Sequence, residues 1–173
     1  MTSPLDLRQA FGHFGTGVAI IGLHDRENRP VGLTINSFAS VSLEPALLSW
    51  CLANESQLYA DVAAASRFSV NILAADQIEL SNRMAGPGNH IFEADEIETV
   101  YGSNGTNGPN GPNGVAPNVK GALAQFDCHI HNKVEAGDHL MLIGGIDGVR
   151  NCGDQRAPLI YFRGTYAALA EGA

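Results

Sequence analysis

The chain has 173 residues, of which 45% are hydrophobic and 16% charged, and its formal net charge is −8. That length suits a single domain, residues 1–173, with a buried core, and the composition excludes a disordered chain or a charged coiled coil. The negative balance argues against nucleic-acid or anionic-membrane partners, because the attraction those surfaces need has the wrong sign.

Ser3, with Pro4 next and Asp6 three positions on, predicts a helix start: a hydroxyl cap, a proline in the first turn and a carboxylate near the positive end. The helix runs from Pro4 to about Phe14, and Leu7, Phe11 and Phe14 form an apolar stripe to lay on a sheet. Val18 to Leu23 is an apolar run of strand length, and His24 to Arg29 reads as a hairpin loop. The stretch from Val31 to Pro45 is built in two ways. Val31, Leu33 and Ile35 alternate with Gly32, Thr34 and Asn36, a strand with one apolar face and one small, hydrogen-bonding face. Beyond it, Ser37, Ser40 and Ser42 crowd hydroxyls around Phe38 and Val41 and predict a polar loop. With many neutral donors and no Lys or Arg, this stretch suits a flat, hydrogen-bonding ring system better than a bare phosphate.

Ala46 to Ala53, with Trp50 and Cys51, reads as a buried strand. Asn54, Glu55 and Ser56 then offer caps for an alanine-rich helix from Gln57 to Ala65. A helix start after a strand is a natural anion site, although plain capping accounts for the same residues. Arg67 to Leu73 alternates Phe68, Val70 and Ile72 with Ser69 and Asn71, the pattern of a half-buried strand. Asp76 and Glu79 resemble a capping box that opens a helix to about Ala85. On that helix Arg83 is either a phosphate ligand or a solvated surface arginine.

Residues 103–118 repeat Asn-Gly, Gly-Pro and Pro-Asn units and predict a flexible loop. From Ala122 to Lys133 the alternation is clear, with Ala122, Ala124, Phe126, Cys128 and Ile130 inside and Gln125, Asp127, His129 and His131 outside. Gly137-Asp138 is a turn, His139 opens a strand from Leu140 to Ile146, and a last strand from Pro158 to Tyr166 carries Tyr161, Phe162, Arg163 and Tyr166. Many strands, a few short helices and no repeat of solenoid length indicate a mainly β, barrel-like domain.

No apolar run approaches the ~18 residues that suggest a membrane-spanning helix. The start, Met-Thr-Ser-Pro-Leu-Asp-Leu-Arg, lacks the basic-then-hydrophobic order of a secretory signal. Cys51, Cys128 and Cys152 form an odd set without metal-ligand spacing and read as reduced thiols in a cytoplasm.

Gly32-Leu33-Thr34-Ile35-Asn36-Ser37-Phe38 followed by Ser40-Val41-Ser42 resembles the flavin-binding signature of the small flavin reductases that serve two-component flavin-dependent monooxygenases. Gly137-Asp138-His139 resembles that family's second signature, and Tyr161 to Tyr166 looks like its closing strand. The resemblance implies an FMN-binding split β-barrel, antiparallel and Greek-key-like, with a few short helices. It implies that Thr34, Asn36 and Ser37 hold the isoalloxazine ring and that Ser40, Val41 and Ser42 line the adjoining wall. Ala53, Ser56 and Gln57 would contact the flavin phosphate, with Arg83 as a further candidate. His139 would meet the nicotinamide of NADH (or NADPH) beside FMN (or FAD), because hydride transfer needs the two rings clamped near contact. Asp138 would orient that imidazole, although adjacent side chains on a strand diverge. Tyr161 and Arg163 would reach the site, while Tyr166 reads as a core or dimer-interface aromatic. The repetitive 103–118 stretch is where the chain departs from the family. The expected activity is an NAD(P)H-dependent flavin reductase, homodimeric, that releases reduced flavin to a separate monooxygenase.

Two other readings stay open on the residues alone. One is a non-catalytic or tightly FMN-bound flavoprotein on the same fold. The other is a metal-dependent barrel, since His129-Ile130-His131 with Glu135 resembles the first metal motif of cupins and places both imidazoles on one strand face. That pattern needs a further histidine from a later strand, and none follows His139.

Overall fold

The computed structural model describes residues 3–98, 116–152 and 156–169, so the part of the repetitive stretch from 103 to 115 lies outside the described residues. The end of that stretch corrects the expectation of a flexible loop: Ala116 and Asn118 are buried, and Val119 N donates to Asn71 Oδ1 at 2.9 Å.

Twelve strands and three α-helices make up the described chain. Seven strands form the main antiparallel sheet: β2 (Ala19–His24), β3 (Pro30–Ile35), β4 (Ala39–Leu43), β5 (Ala46–Ala53), β6 (Arg67–Ile72), β9 (Ala124–Ala136) and β10 (His139–Asn151). Their spatial order is β3-β2-β6-β9-β10-β5-β4. The two edges, β3 and β4, are therefore consecutive in the chain and joined only by Asn36, Ser37 and Phe38. A flat sheet of this size would hold its edges roughly 29 Å apart at the usual strand spacing. A link of three residues reaches no more than about 14 Å. The sheet must roll up until its edges approach, and β3 and β4 do not pair with each other. The fold is thus a barrel with a split, and the link lies at the split.

Strand β2 shows why the interior closes well. Ala19, Ile21 and Leu23 join the inner core with Leu33, Trp50 and Phe68, while Val18 and Ile20 join a second core outside the barrel with Met84 and Leu159. An apolar run such as Val18 to Leu23 is what a strand buried on both faces requires. Trp50 and Phe68 meet edge-on, with centroids 5.6 Å apart, in the inner core. The second core is covered by α3 (Ile78–Ala85), by the ribbon β7 (Ile97–Glu98) with β8 (Asn118–Val119), and by the small sheet β1 (Thr16–Gly17), β11 (Ile160–Phe162) and β12 (Thr165–Ala167).

Several expectations need correction. Helix α1 (Pro4–Gly12) begins with the reciprocal Ser3–Asp6 cap, but Leu7, Phe11 and Phe14 are 43%, 71% and 78% exposed and lie on no sheet. The sheet faces are already filled by the two cores. The expected polar loop after Ser37 is strand β4, which pairs with β5 through a bulge between Ser40 and Ser42. Strand β6 is buried on both faces: Ser69 and Asn71 are fully covered and satisfied, with Ser69 Oγ donating to Pro117 O at 2.5 Å and Asn71 Nδ2 to Ile20 O at 3.1 Å. Gln125, expected outside, is buried and donates to Val119 O at 2.7 Å. Helix α2 (Tyr59–Ala64) starts later than Gln57, and Asp76 pairs with Arg156 instead of forming a box with Glu79. The last strand is a hairpin, because Arg163 (φ 50°) and Gly164 (φ 82°) reverse the chain between β11 and β12. Among the described residues no helix is long and apolar enough to cross a membrane.

Candidate functional site

Three chain segments meet at the split: the end of β3, the end of β5 and the start of β10. The antiparallel register of β5 and β10 places His139 directly opposite Ala53. Beyond that pair the two connections are laced together, since Asn54 N donates to Asp138 O at 2.9 Å. Gly137, at φ 65°, makes the tight turn that lets His139 enter the strand there. On the other side, Ser37 Oγ accepts from Cys51 N at 2.9 Å and ties the link to β5.

A cleft of about 440 Å³ opens between these segments and the C-terminal end of α3. That size is within the usual range for a small-molecule site. Leu33, Ile35, Leu52 and Met84 give it apolar walls, and Asn36, Ser56, Gln57 and His139 supply polar groups. A second cleft, of about 450 Å³, shares Thr34, Ile35, Asn36 and Ala85 with the first and extends to Tyr161, Thr165 and Tyr166. The two spaces are neighbours with Asn36 on their common wall.

The structure sorts the expected residues. Asn36 lines both clefts and is exposed, and its side-chain amide makes no hydrogen bond to any described residue. Thr34 also lines both, but its hydroxyl donates to Ser81 O at 2.7 Å. Ser37 lines the first cleft with its hydroxyl committed to Cys51. Ala53, Ser56 and Gln57 line it as well; Ser56 Oγ accepts from Leu58 N at 3.3 Å and Gln57 Oε1 from Gly88 N at 3.2 Å. Tyr161 lines the second cleft, packed edge-on against Tyr166.

Ser40, Val41 and Ser42 line neither cleft; they sit on the edge strand β4, where Val41 is 51% exposed. Arg83 is turned away, held by Glu96 and donating to Ile91 O at 3.0 Å. Arg163 occupies the β11–β12 turn, over the Phe162 ring and 3.1 Å from His13 Nδ1. Asp138 is outside the cleft lining yet meets His139 Nδ1 at 2.7 Å, because its place in the turn removes the divergence expected on a strand. The hydrogen bond to His139, followed by the attraction of that ring, holds the Asp138 carboxyl below its ordinary value.

Sequence reasoning missed His90 and the Met84–Pro87 segment as walls of the first cleft. Gly32 N donates to His90 O at 2.8 Å, and Phe92 packs where a Gly32 side chain would stand. The only signal was that glycine within an apolar strand, which marks a close approach.

His129 bonds Asp147 Oδ1 at 2.8 Å and His131 is exposed. Among the described residues no three His, Cys, Asp or Glu side chains converge on a metal-sized point. Burial pushes the Cys51 thiol in the cleft wall above its ordinary value, which keeps it a neutral wall group.

The family described as flavin reductase like domain matches residues 11–170. The reductase component of the flavin-dependent trigonelline monooxygenase of Acinetobacter baylyi is 39% identical over 93% of this chain, which spans only 47% of that protein's length. The FMN reductase (NADH) SmoA of Agrobacterium fabrum is 34% identical over 80% of this chain and 72% of its own. The NADH:FAD oxidoreductase SgcE6 of Streptomyces globisporus, solved with NAD and FAD fragments, superposes with a TM-score of 0.82 at 29% identity, covering 100% of this chain and 98% of that one. A rolled sheet split beside Asn36 and His139, a family match over nearly the whole chain and this superposition agree: the chain belongs to the flavin reductase like family and has its split-barrel fold.

Proposed function

We propose that this chain is an NADH-dependent flavin reductase that takes up free FMN or FAD, reduces it and releases it to a separate monooxygenase. The observation that carries the proposal is the cleft in which the unpartnered amide of Asn36 and the imidazole of His139, held by Asp138, line one space. The space fits a flavin ring: apolar walls for its faces and neutral donors for its edge. When bound, the flavin accepts a hydride from the nicotinamide, and a proton from water completes the reduction.

The chain's own groups then have distinct tasks. Asn36 donates to or accepts from the ring edge. Asp138 accepts from Nδ1–H of His139 and so presents Nε2 toward the cleft, to orient the carboxamide of the nicotinamide. Leu33, Ile35 and Met84 exclude water around the reacting faces. No residue lining the two clefts carries a cationic ammonium or guanidinium group that could meet a 2′-phosphate there, which supports NADH over NADPH as the donor.

Support for a homodimer comes from the unpartnered stripe Leu7, Phe11 and Phe14 and from Leu43, which is 95% exposed. We place the protein in a reducing cytoplasm on its three free cysteines. The test is NADH oxidation by purified protein with free flavin, comparing wild type with Asn36→Ala and His139→Ala. Unchanged flavin affinity and unchanged rate in both variants would remove the proposal.

A further inference from the structure

All ten Lys and Arg residues lie within the described parts of the chain. Arg26, Arg29, Arg67, Arg83, Arg150 and Arg156 are held by carboxylates. Arg163 lies over Phe162 and 3.1 Å from His13 Nδ1, and Lys133 Nζ donates to Ala63 O at 2.6 Å at the end of α2. That leaves Lys120, on the turn after β8, and Arg8, exposed on α1, as the cations whose side chains make no hydrogen bond or ion pair with any described residue.

Of these two, Arg8 borders the clefts. Helix α1 ends on the β11–β12 turn, where Arg163 N donates to Gly12 O at 2.9 Å and Gly15 stands against the Phe162 ring. The next residues of that turn, Gly164 and Thr165, line the second cleft. Arg8 is four residues before Gly12, one helical turn or about 6 Å along α1. Toward the first cleft, the hydrogen bond with His139 does most to hold the Asp138 carboxyl below its ordinary value, and the charge of Arg8 adds to it. The guanidinium therefore lies within electrostatic reach of the turn that carries His139. Helix α1 runs along the rim between the two clefts with an unpaired guanidinium near its middle.

A nicotinamide dinucleotide is two ring systems joined by a diphosphate, and a nicotinamide beside His139 leads that diphosphate out past this rim. The planar fork of arginine suits the group, since it donates charge-assisted hydrogen bonds to two phosphate oxygens at once. In a chain of net charge −8, an unpaired guanidinium at the mouth is also a local attraction for an anion that the surface as a whole repels. Arg8 precedes residues 11–170, the part of the chain that matches the family. We infer that Arg8 is the diphosphate-binding residue for the nicotinamide donor, so that the N-terminal helix, outside the barrel, sets the affinity for NADH. This rests on the flavin reductase reading of the clefts.

The test compares NADH with dihydronicotinamide riboside, which carries the same hydride and no phosphate. Kd for each is read from nicotinamide fluorescence without flavin, and kcat/KM for each at saturating FMN; quenching of flavin fluorescence gives Kd for FMN and riboflavin. Arg8→Gln is expected to weaken NADH roughly fivefold in both readings, the upper range for one exposed charge pair, and to leave the riboside level. Arg8→Lys, which keeps the charge, retains most of the NADH affinity. Added salt weakens NADH binding to wild type and does so much less in Arg8→Gln. An unchanged NADH Kd in Arg8→Gln overturns the inference. So does an equal loss with the riboside, which would make Arg8 a support for Asp138 and His139. A loss confined to FMN, with NADH and riboflavin spared, also overturns it and gives the guanidinium to the flavin phosphate. If the wild-type protein binds NADH but reduces no flavin, the reductase reading fails, and the NADH Kd of wild type against Arg8→Gln then decides the inference by itself.

Discussion

The hydroxyl of Ser37 bridges both backbone groups of Cys51, accepting from its N–H at 2.9 Å and donating to its carbonyl at 3.3 Å. The link between the sheet's two edges is thereby fastened to β5. Asn36, one residue earlier, is left as the free amide of the cleft. The resemblance treats these neighbours as equivalent flavin ligands, and the structure gives them different work.

Ser37→Ala is therefore a stability variant. It strands two backbone groups of Cys51 and is expected to lower unfolding free energy by about 1–2 kcal/mol. Urea unfolding measures the loss, and flavin titration at a temperature where the variant is folded should show an affinity close to wild type.

Asn36→Ala is the opposite case. Its side chain makes no bond within the described chain, so Tm should stay close to wild type while flavin Kd rises about tenfold, the value of one lost hydrogen bond in a desolvated site. A fall in Tm with unchanged Kd would assign Asn36 to the fold.

For His139 the expected loss is in turnover. His139→Ala should lower the single-turnover rate of NADH oxidation by roughly 100-fold, with flavin Kd little changed. Asp138→Asn keeps an acceptor for Nδ1–H and should lose less than Asp138→Ala. Equal rates for the two Asp138 variants would show that Asp138 does not orient the ring.

Asp127 offers a pH test of the fold. Burial pushes its carboxyl above the ordinary value, more than Asn118, Arg67 and Arg150 draw it down. The folded state thus prefers the protonated form, and stability contributed by this group falls as pH rises from the ordinary carboxylate value through the raised one. Asp127→Asn, which keeps an acceptor for Asn118 Nδ2, is expected to raise Tm at pH 7 and to match wild type below about pH 4. A lower Tm at pH 7 would show that attraction from Arg67 and Arg150 outweighs burial.

Much of this was legible in the residues. The apolar run containing Trp50 placed β5 at its observed bounds, Ala46–Ala53, because no Gly, Pro, Asn or Asp interrupts it. Ser3 and Asp6 announced the cap of α1 through contacts three residues apart. The failures share a cause, which is that long-range partners overrode local chemistry. The serines of β4 favour turns in isolation, yet pairing with β5 holds them extended. Arg163 adopts positive φ where glycine or asparagine is the usual signal, so the β11–β12 reversal was visible only in Gly164. Arg83 looked available because Glu96, thirteen residues on, gave no local sign of folding back onto it.

The most direct test of the central claim follows NADH absorbance in the purified, dialysed protein before and after free flavin is added. The account predicts slow or absent oxidation alone and rapid oxidation once flavin is supplied, as a reductase that takes up and releases flavin requires. Constant NADH with FMN, FAD and riboflavin in folded protein would contradict it, and so would oxidation carried by a flavin that survives dialysis.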